Sequence, residues 1–415
     1  MATEAIAAAA GAPAPEAAGG PLAVAVDVRS VPDAAGAAAR VARSLERHLP
    51  GRPAEVRCAC WVGGEVQLVD GGNGPDPGSP AMPPISLLRG GVPGPQSALA
   101  PLLREVDGLA AAAAVLLGGE NHDDAADWPR ALLAPVLDEG FDLACPAYLR
   151  HPLDGALNTG IVYPLTRSLY GWRLRQPLGG EVALSAGFAR RLLSDGDWRR
   201  DPAAAGSDVW LVAKALAGGA RVCQAWMGDW PDPASEPDDA SHAIERVVGM
   251  VFREMERHAE RWQRVEGSRP VAESGIAGRP GRVPPQPGVD RLQSAFRLGH
   301  KELEPIWAMA VTPANLIALR HAASLPESRF RLDDRLWARV VFDFAVGHFA
   351  KVMERGHLLR AMTPLYLGWV AAFAAEIRDL EPAGAERRVE ALCAAFEEEK
   401  PYLVARWRWP DAFSP

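Results

Sequence analysis

One short segment near the middle of the chain has the composition of a loop that binds a hydroxylated ligand. Its residues are Arg175, Gln176, Pro177, Leu178, Gly179, Gly180 and Glu181. Proline fixes one backbone dihedral and paired glycines let the backbone approach a ligand closely, while the glutamine and the glutamate can hydrogen-bond to sugar hydroxyls. A tight turn that leads into a strand has the same composition, and the pattern alone favours the turn.

Two carboxylates that follow predicted strands are candidates for a divalent metal site. The apolar run Leu109–Leu117 is followed by Gly118, Gly119 and Glu120, and Asp232 comes shortly after a later strand. Carboxylate oxygens are the ligands that Mg²⁺ and Mn²⁺ prefer, and so Glu120 and Asp232 predict a reduced metal site. The segment HDDAAD at residues 122–127 offers further ligands, but it fits ordinary capping of the next helix equally well.

Asp208, Arg150 and His151 are further candidates because of their places relative to the predicted elements. Asp208 begins a predicted helix, where backbone N–H groups favour an anion. The plain alternative is that its charge complements the helix dipole. Arg150 and His151 end the predicted strand Phe141–Tyr148, where they can meet a phosphate or an acidic acceptor. Equally, they can serve only to keep the strand end hydrated.

The order of the predicted elements indicates an α/β domain followed by an all-helical domain. Strands and helices alternate over residues 22–264, which predicts an open, mostly parallel sheet whose ligands lie beyond the carboxyl ends of its strands. Residues 265–289 are rich in Gly and Pro and predict a linker. Over residues 290–415 apolar residues recur at helical intervals. Residues 1–21, rich in Ala, Pro and Gly, predict a disordered leader.

The composition narrows the classes of function. The chain has 415 residues and a formal net charge of −8, so it offers no basic field for nucleic acid. Its five cysteines are scattered and odd in number, which suits a reducing, cytoplasmic compartment. The longest apolar stretches fall short of the roughly 20 residues that span a bilayer, so no transmembrane segment is predicted. The oligomeric state is left open, a homo-oligomer included.

Three long phrases, in order and covering both predicted domains, resemble one class of enzyme. They are AYLRHPLDGALNTGIVYPLTRSLYGWRLRQPLGGE (Ala147–Glu181), GSDVWLVAKALAGGARVCQAWMG (Gly206–Gly228), and MTPLYLGWV with FEEEKPYLVARW (Met362–Val370 and Phe396–Trp407). The first two resemble the catalytic domain of mannosylglycerate synthases and glucosyl-3-phosphoglycerate synthases, which are retaining glycosyltransferases of the GT-A fold. The chain is similar still more closely to an uncharacterised bacterial group of family-2-type glycosyltransferases with a helical C-terminal domain.

This resemblance implies a nucleotide-sugar donor, UDP- or GDP-linked, and a small hydroxylated or phosphorylated acceptor. It implies that the segment Gln176–Glu181 frames the sugar and that Asp208 and Glu181 lie at the reacting centre. It also implies a divalent cation, Mg²⁺ or Mn²⁺, that neutralises the diphosphate leaving group.

Three departures from the family's pattern support a second hypothesis. Gly118 replaces the first carboxylate of the metal motif, the segment Gly94–Leu99 lacks the family's lysine, and Asp232 stands where the similar group has a histidine. Loss of metal and diphosphate ligands is expected in a non-catalytic relative that is kept as a binding or regulatory protein. The sequence therefore predicts a glycosyltransferase and, as the alternative, a glycosyltransferase-like protein without activity.

Overall fold

The computed structural model describes residues 20–27, 34–62, 65–70, 99–118, 127–200, 207–229, 240–275 and 287–409. The strands in these ranges are β1 (Leu22–Asp27), β2 (Ala54–Val62), β3 (Glu65–Asp70), β4 (Ala113–Gly118), β5 (Leu143–Leu149), β6 (Trp172–Arg173), β7 (Val182–Ser185), β8 (Val222–Asp229), β9 (Arg269–Pro270) and β10 (Ala272–Ser274). The helices are α1 (Ala34–His48), α2 (Leu99–Gly108), α3 (Trp128–Leu137), α4 (Tyr163–Tyr170), α5 (Ala186–Leu193), α6 (Asp197–Arg200), α7 (Asp208–Ala217), α8 (Ala240–Ala243), α9 (Gly249–Arg257), α10 (Ala259–Trp262), α11 (Val289–Trp307), α12 (Pro313–Ser324), α13 (Asp334–Ala350), α14 (Arg355–Ala361), α15 (Thr363–Ile377), α16 (Pro382–Glu398) and α17 (Lys400–Arg408). A buried π-helical turn, Asn158–Val162, leads into α4.

The described strands build one large sheet and a small two-stranded one. The large sheet has eight strands in the order β10-β8-β5-β7-β4-β1-β2-β3. Most neighbours run parallel, whereas β7 runs antiparallel to β4 and β5, and β3 runs antiparallel to β2. The prediction of an α/β fold with a mostly parallel sheet, followed by a helical C-terminal region, is therefore confirmed.

The carboxyl ends of β1, β4, β5 and β8 meet at one edge of this sheet. Asp27 at the end of β1 pairs with Gly118 at the end of β4, and Leu149 of β5 pairs with Asp229 of β8. The antiparallel β7 begins at the same edge. Residues that precede β7 therefore lie beside residues that follow β4 and β5, at the edge where ligands bind in sheets of this kind.

Side chains of the central strands alternate between two layers of core. In β1, Leu22, Val24 and Val26 pack in a cluster with α1 and α3, while Ala23 and Ala25 belong to a larger cluster on the other face. That larger cluster includes α2, α4, α5, α7 and α9, and it continues without a break into the helices from α11 onward. The helical region thus shares one apolar core with the sheet.

Helix α4 lies at the junction between the sheet and the C-terminal helices. All eight of its residues are buried, and so are all five residues of the π-helical turn before it. Within that turn, a Cβ added to Gly160 would lie 2.2 Å from the ring of Trp369 on α15. The Nε1 of Trp337 on α13 donates a 2.8 Å hydrogen bond to the carbonyl oxygen of Gly160. Close packing here requires glycine.

Charged groups complete the junction around α4. The buried guanidinium of Arg167 donates to Glu390 and Glu397 of α16 at 2.6 and 2.8 Å. The ammonium of Lys400 donates a 2.6 Å hydrogen bond to the carbonyl oxygen of Ser168 in the last turn of α4. Buried charges are tolerated only where they are paired or hydrogen-bonded. The C-terminal helices therefore provide the partners that allow α4 to be buried.

Some predicted boundaries differ from the structure. The strand predicted from Leu109 begins only at Ala113, because the chain first turns through Ala110, whose φ is +47°. Part of the predicted linker, Ala272–Ser274, is the edge strand β10, since backbone hydrogen bonds to β8 require no apolar side-chain pattern. The first 19 residues of the predicted leader and residues 276–286 of the predicted linker lie outside the described residues.

One stretch, Arg355–Ile377, is long and apolar enough to cross a membrane by length and composition alone. It contains α14 and α15, and 72% of its most apolar window is buried inside the protein. Core helices of folded proteins pass the same test of length and composition. The absence of a transmembrane segment stays a prediction.

A cluster of ionisable groups joins α9 to α13 and α14. Glu256 lies 3.0 Å from Nδ1 of His348 and 2.8 Å from the guanidinium of Arg355. Burial lowers the pKa of His348 below its ordinary value of 6.5. Burial alone would raise the pKa of Glu256, but hydrogen bonds from His348 and Arg355 outweigh it and hold that pKa below its ordinary 4.5.

Gly160→Ala is expected to lower the free energy of unfolding by about 1–3 kcal/mol, because the added methyl group overlaps the Trp369 ring. Urea unfolding measures the change. Gly187→Ala is the matched control, since this second helical glycine would place its Cβ no closer than 3.8 Å to a neighbour, Nη1 of Arg191. Its stability should be unchanged or raised. Equal stabilities of the two variants would contradict the close packing described for Gly160.

Acidification is expected to destabilise the protein through the Glu256–His348 pair. Both groups bind fewer protons in the folded state than in the unfolded state, so their stabilisation is present at neutral pH and is lost as the pH falls. The loss begins near pH 6.5, the ordinary pKa of histidine, and continues below pH 4.5. Urea unfolding at pH 7.5 and pH 5 should therefore differ less for His348→Gln than for the unaltered chain, by about 1 kcal/mol. The exposed His321 provides the control: a change as large in His321→Gln would refute this assignment.

Candidate functional site

The segment Gln176–Glu181 runs along the carboxyl edge of the sheet, between the end of β5 and the start of β7. The side chain of Gln176 is 3% exposed and bonds twice to the backbone of Tyr148, the sixth residue of β5. Its Nε2 donates to the carbonyl oxygen at 2.7 Å, and its Oε1 accepts from the backbone N–H at 3.1 Å. These two bonds have the pattern of backbone hydrogen bonds between paired strands, and they fix the start of the loop to β5.

The two glycines of this loop are needed for different reasons. A Cβ at Gly179 would lie 2.3 Å from Cγ of Pro146 in β5, so the backbone packs directly on that ring. Gly180 has a φ of +74°, a conformation that other residues adopt only with strain. Pro177 and Leu178 are buried beside them. The chain's own packing thus explains both glycines, which is the structural turn that the sequence pattern favoured.

Two buried carboxylates, Glu181 and Asp208, belong to the surroundings of Gly180. Asp208 begins α7 and is 7% exposed, and its Oδ2 accepts a 2.9 Å hydrogen bond from the backbone N–H of Gly180. Glu181 is 4% exposed and accepts a hydrogen bond from the hydroxyl of Tyr148. The side chain of Ser207 caps α7 by accepting from a backbone N–H within the helix. The structure therefore brings the two predicted catalytic residues together with the loop.

Arg150 and His151 follow β5 at the same edge of the sheet. Burial and the nearby Arg175 lower the pKa of Arg150 to about 10, so its guanidinium stays charged at neutral pH. Nδ1 of the buried His151 accepts a 3.2 Å hydrogen bond from the backbone N–H of Leu153, and burial lowers the pKa of its ring. At neutral pH this histidine is therefore uncharged with its proton on Nε2. It can donate a hydrogen bond but cannot act as a base through Nε2.

Sequence reasoning gave no role to two residues of this site, Tyr148 and Arg175. Tyr148 carries the bonds to Gln176 and Glu181 just described. Arg175 directly precedes the loop and forms an ion pair with Glu386 of α16, which is 211 residues away in the chain. The position of Arg175 beside Gln176 was a signal in the sequence. Its pairing with Glu386 was not, because residues so far apart in the chain form no local sequence pattern. Tyr148 ends an apolar run and looks like an ordinary strand residue.

The predicted metal ligands Glu120 and Asp232 lie outside the described residues, as do residues 122–126 of the acidic segment and most of Gly94–Leu99. The strands that they follow, β4 and β8, are three positions apart in the sheet, which corresponds to about 14 Å between the strands. A metal site formed by both carboxylates would have to bridge this distance. In the part of the chain that the structure describes, no group of three or more His, Cys, Asp and Glu side chains is arranged to hold a metal ion. The metal site stays a prediction.

Of the known proteins compared with this chain, only solved structures are similar to it. No known protein family and no curated protein matches the chain. It is similar to glucosyl-3-phosphoglycerate synthase from Mycobacterium tuberculosis in complex with Mn²⁺, UDP and glucosyl-3-phosphoglycerate, at 16% identity and a TM-score of 0.36, over 59% of this chain and 81% of that one. The same enzyme in complex with Mg²⁺ and UDP matches at 15% identity and a TM-score of 0.37, with the same coverage. Scores this low assign no residue and no substrate to the present chain.

Gln176→Leu is expected to destabilise the protein by about 1–3 kcal/mol, because it removes two buried hydrogen bonds to the backbone of Tyr148. The midpoint of urea unfolding measures this. Gln263→Leu is the matched control, since Gln263 bonds to Arg408 at the protein surface and its loss should change stability by no more than about 0.5 kcal/mol. If Gln176→Leu were as stable as its control, the double bond to Tyr148 would not be holding the loop.

Proposed function

We propose that this chain is a GT-A-type glycosyltransferase that moves a hexose from a nucleotide sugar, UDP- or GDP-linked, to a small hydroxylated or phosphorylated acceptor with retention of configuration. One observation carries the proposal. Two buried carboxylates lie at the carboxyl edge of a mostly parallel sheet: Asp208, bonded to the backbone of Gly180, and Glu181, the next residue, bonded to Tyr148. This is the edge where such sheets bind their ligands. The ordered phrases shared with glycosyltransferases support the same conclusion.

The carboxylates suit the charge changes of this reaction. The bond between the anomeric carbon and the diphosphate oxygen breaks, and a bond forms from the acceptor's hydroxyl oxygen to that carbon. The acceptor's proton passes to the departing diphosphate. Positive charge develops on the sugar ring as the leaving group departs, and a carboxylate fixed beside the ring stabilises that charge without having to reorganise. In this proposal Asp208 faces the reacting centre, while Gln176–Glu181 frames the sugar.

Cations at the same edge suit an acidic acceptor. Arg150 lies close enough to Arg175 for that positive charge to lower its pKa, and both remain charged at neutral pH. A carboxylate or phosphate on the acceptor would gain charge-assisted hydrogen bonds from these guanidinium groups. His151 can donate a hydrogen bond from Nε2 to an acceptor oxygen.

In this proposal, Glu120 and Asp232 are the residues that would bind a divalent cation. When bound, Mg²⁺ or Mn²⁺ would offset the negative charge of the diphosphate. Oxygen ligands of this type suit either ion.

The alternative is a non-catalytic protein with the same architecture. It is favoured because polar groups of the loop already have hydrogen-bond partners within the protein. Gln176 uses both of its polar side-chain atoms on Tyr148, and Asp208 bonds to Gly180. Gly118 in place of the first carboxylate of the metal motif favours the same alternative. Under this alternative, Glu120→Ala and Asp232→Ala leave the biological phenotype of the organism intact, whereas loss of a transferase site would change it.

Binding of the donor is tested by isothermal titration of the full chain with UDP-glucose and GDP-mannose, each with and without Mn²⁺. We expect saturable binding of one donor, strengthened by the metal ion. Absence of binding to both UDP- and GDP-linked sugars would contradict the transferase proposal and favour the non-catalytic alternative.

Asp208→Asn is expected to slow sugar transfer roughly 100-fold or more while leaving stability nearly unchanged. The amide oxygen can still accept the hydrogen bond from Gly180, but the negative charge at the reacting centre is lost. Asp142→Asn is the matched control, because Asp142 also accepts from a backbone N–H, that of Arg221, but at the opposite edge of the sheet. Transfer rates with the bound donor measure both; an unimpaired Asp208→Asn enzyme would remove Asp208 from the reacting centre.

A further inference from the structure

Arg175, the residue directly before the candidate loop, is bonded to the helical C-terminal region. We propose that the ion pair between Arg175 and Glu386 of α16 positions the Gln176–Glu181 loop, so that the helical region sets the geometry of the ligand site. The inference rests on the proposed function only for what the loop binds. The positioning itself follows from contacts within the chain.

The backbone of Arg175 is held from two sides. Its N–H donates a 2.8 Å hydrogen bond to Oε1 of Gln224 in β8, and its carbonyl oxygen accepts a 3.1 Å hydrogen bond from Nδ2 of Asn158 in the π-helical turn. Gln224 and Asn158 are 2% and 3% exposed. These bonds fix where the residue sits but leave its side chain to be placed by other groups.

The guanidinium of Arg175 is placed by the helical region. Nε and Nη2 donate to the two carboxylate oxygens of Glu386, each at 3.2 Å, in the forked geometry that arginine alone provides. The guanidinium also lies 5.3 Å from the centre of the Tyr163 ring. Its remaining nitrogen, Nη1, has no hydrogen-bond partner among the described residues. The pair with Glu386 is therefore the charged contact that fixes this side chain.

A displacement of Arg175 passes directly to the loop, because Gln176 is the next residue. The side chain of Gln176 is hydrogen-bonded to the backbone of Tyr148, and the hydroxyl of Tyr148 donates to Glu181. Asp208 accepts from the backbone of Gly180. Two bonds to one strand residue tolerate little shift, since hydrogen bonds weaken steeply with distance and angle. Arg175 is thus a positioning residue, which acts on the ligand through the loop.

A neighbouring ion pair on the same helix provides the matched control. Glu390 lies one turn beyond Glu386 on α16 and pairs with Arg167 of α4, which does not adjoin the loop. Its Oε1 also accepts a 3.3 Å hydrogen bond from the hydroxyl of Tyr163, the ring beside Arg175, and a glutamine at this position can still accept that bond. The side chains of the two glutamates are almost equally exposed, at 46% and 47%. Each joins the helical region to the α/β region. A difference between them therefore reports on the loop and not on general loosening of the junction.

Hydrogen exchange of the Gly180 amide, which is bonded to Asp208, measures how often the loop opens. In the full chain, Glu386→Gln is expected to speed this exchange about fivefold, as for a partly exposed ion pair with forked geometry. Glu390→Gln should leave it unchanged. Arg175→Lys keeps the charge but not the fork, and should act in the same direction as Glu386→Gln.

The outcomes separate the positioning role from the proposed function. Unchanged exchange in Glu386→Gln, or an equal rise in Glu386→Gln and Glu390→Gln, overturns the positioning role. Faster exchange only in Glu386→Gln and Arg175→Lys supports it, whether or not a sugar binds. If UDP-glucose or GDP-mannose binds the unaltered chain, Glu386→Gln should also weaken that binding about fivefold, and Glu390→Gln should not. Failure of the unaltered chain to bind either donor counts against the proposed function alone.

Discussion

The burial of one short helix, α4, is the constraint on which the rest of the structure depends. A helix that is apolar on one side can rest on a sheet, but one whose eight residues are all buried must be covered on every side. Helices α7, α10 and α16 pack around it, and Glu390 and Glu397 of α16 pair with its Arg167. Trp337 of α13 and Trp369 of α15 cover the π-helical turn that leads into it. The C-terminal helices are therefore part of the fold of the α/β region. Removing them would expose both apolar surface and a buried cation.

The same constraint reaches the candidate site. The π-helical turn before α4 contributes Asn158, which holds the backbone of Arg175, and α16 contributes Glu386, which holds its side chain. Arg175 directly precedes the loop, whose Gln176 and Gly179 are fixed on β5. Because the hydrogen bonds within the loop are buried or partly buried, the two carboxylates Glu181 and Asp208 are kept in place before any ligand arrives. Such preorganisation is what electrostatic catalysis requires.

The sequence predicted the parts of the molecule that have a local pattern. The apolar runs that contain β4 and β5 and the start of α7 at Asp208 could be placed, because the signals for them lie in neighbouring residues. No element was predicted for α4, since a helix that is buried all round shows no amphipathic period. The pairing of Arg175 with Glu386 and of Gln176 with Tyr148 depends on residues brought together only by the fold. The metal pair Glu120 and Asp232 lies outside the described residues and stays a prediction.

The central claim is that the carboxyl edge around Gly180 binds a nucleotide sugar. Hydrogen exchange of the full chain with and without saturating UDP-glucose or GDP-mannose maps the contact directly. The account predicts that one donor slows exchange at Gln176–Glu181 and at Ser207–Trp210, the first turn of α7, and leaves the distant helix α12 unchanged. Protection confined to other parts of the chain, or none with either donor, would contradict it.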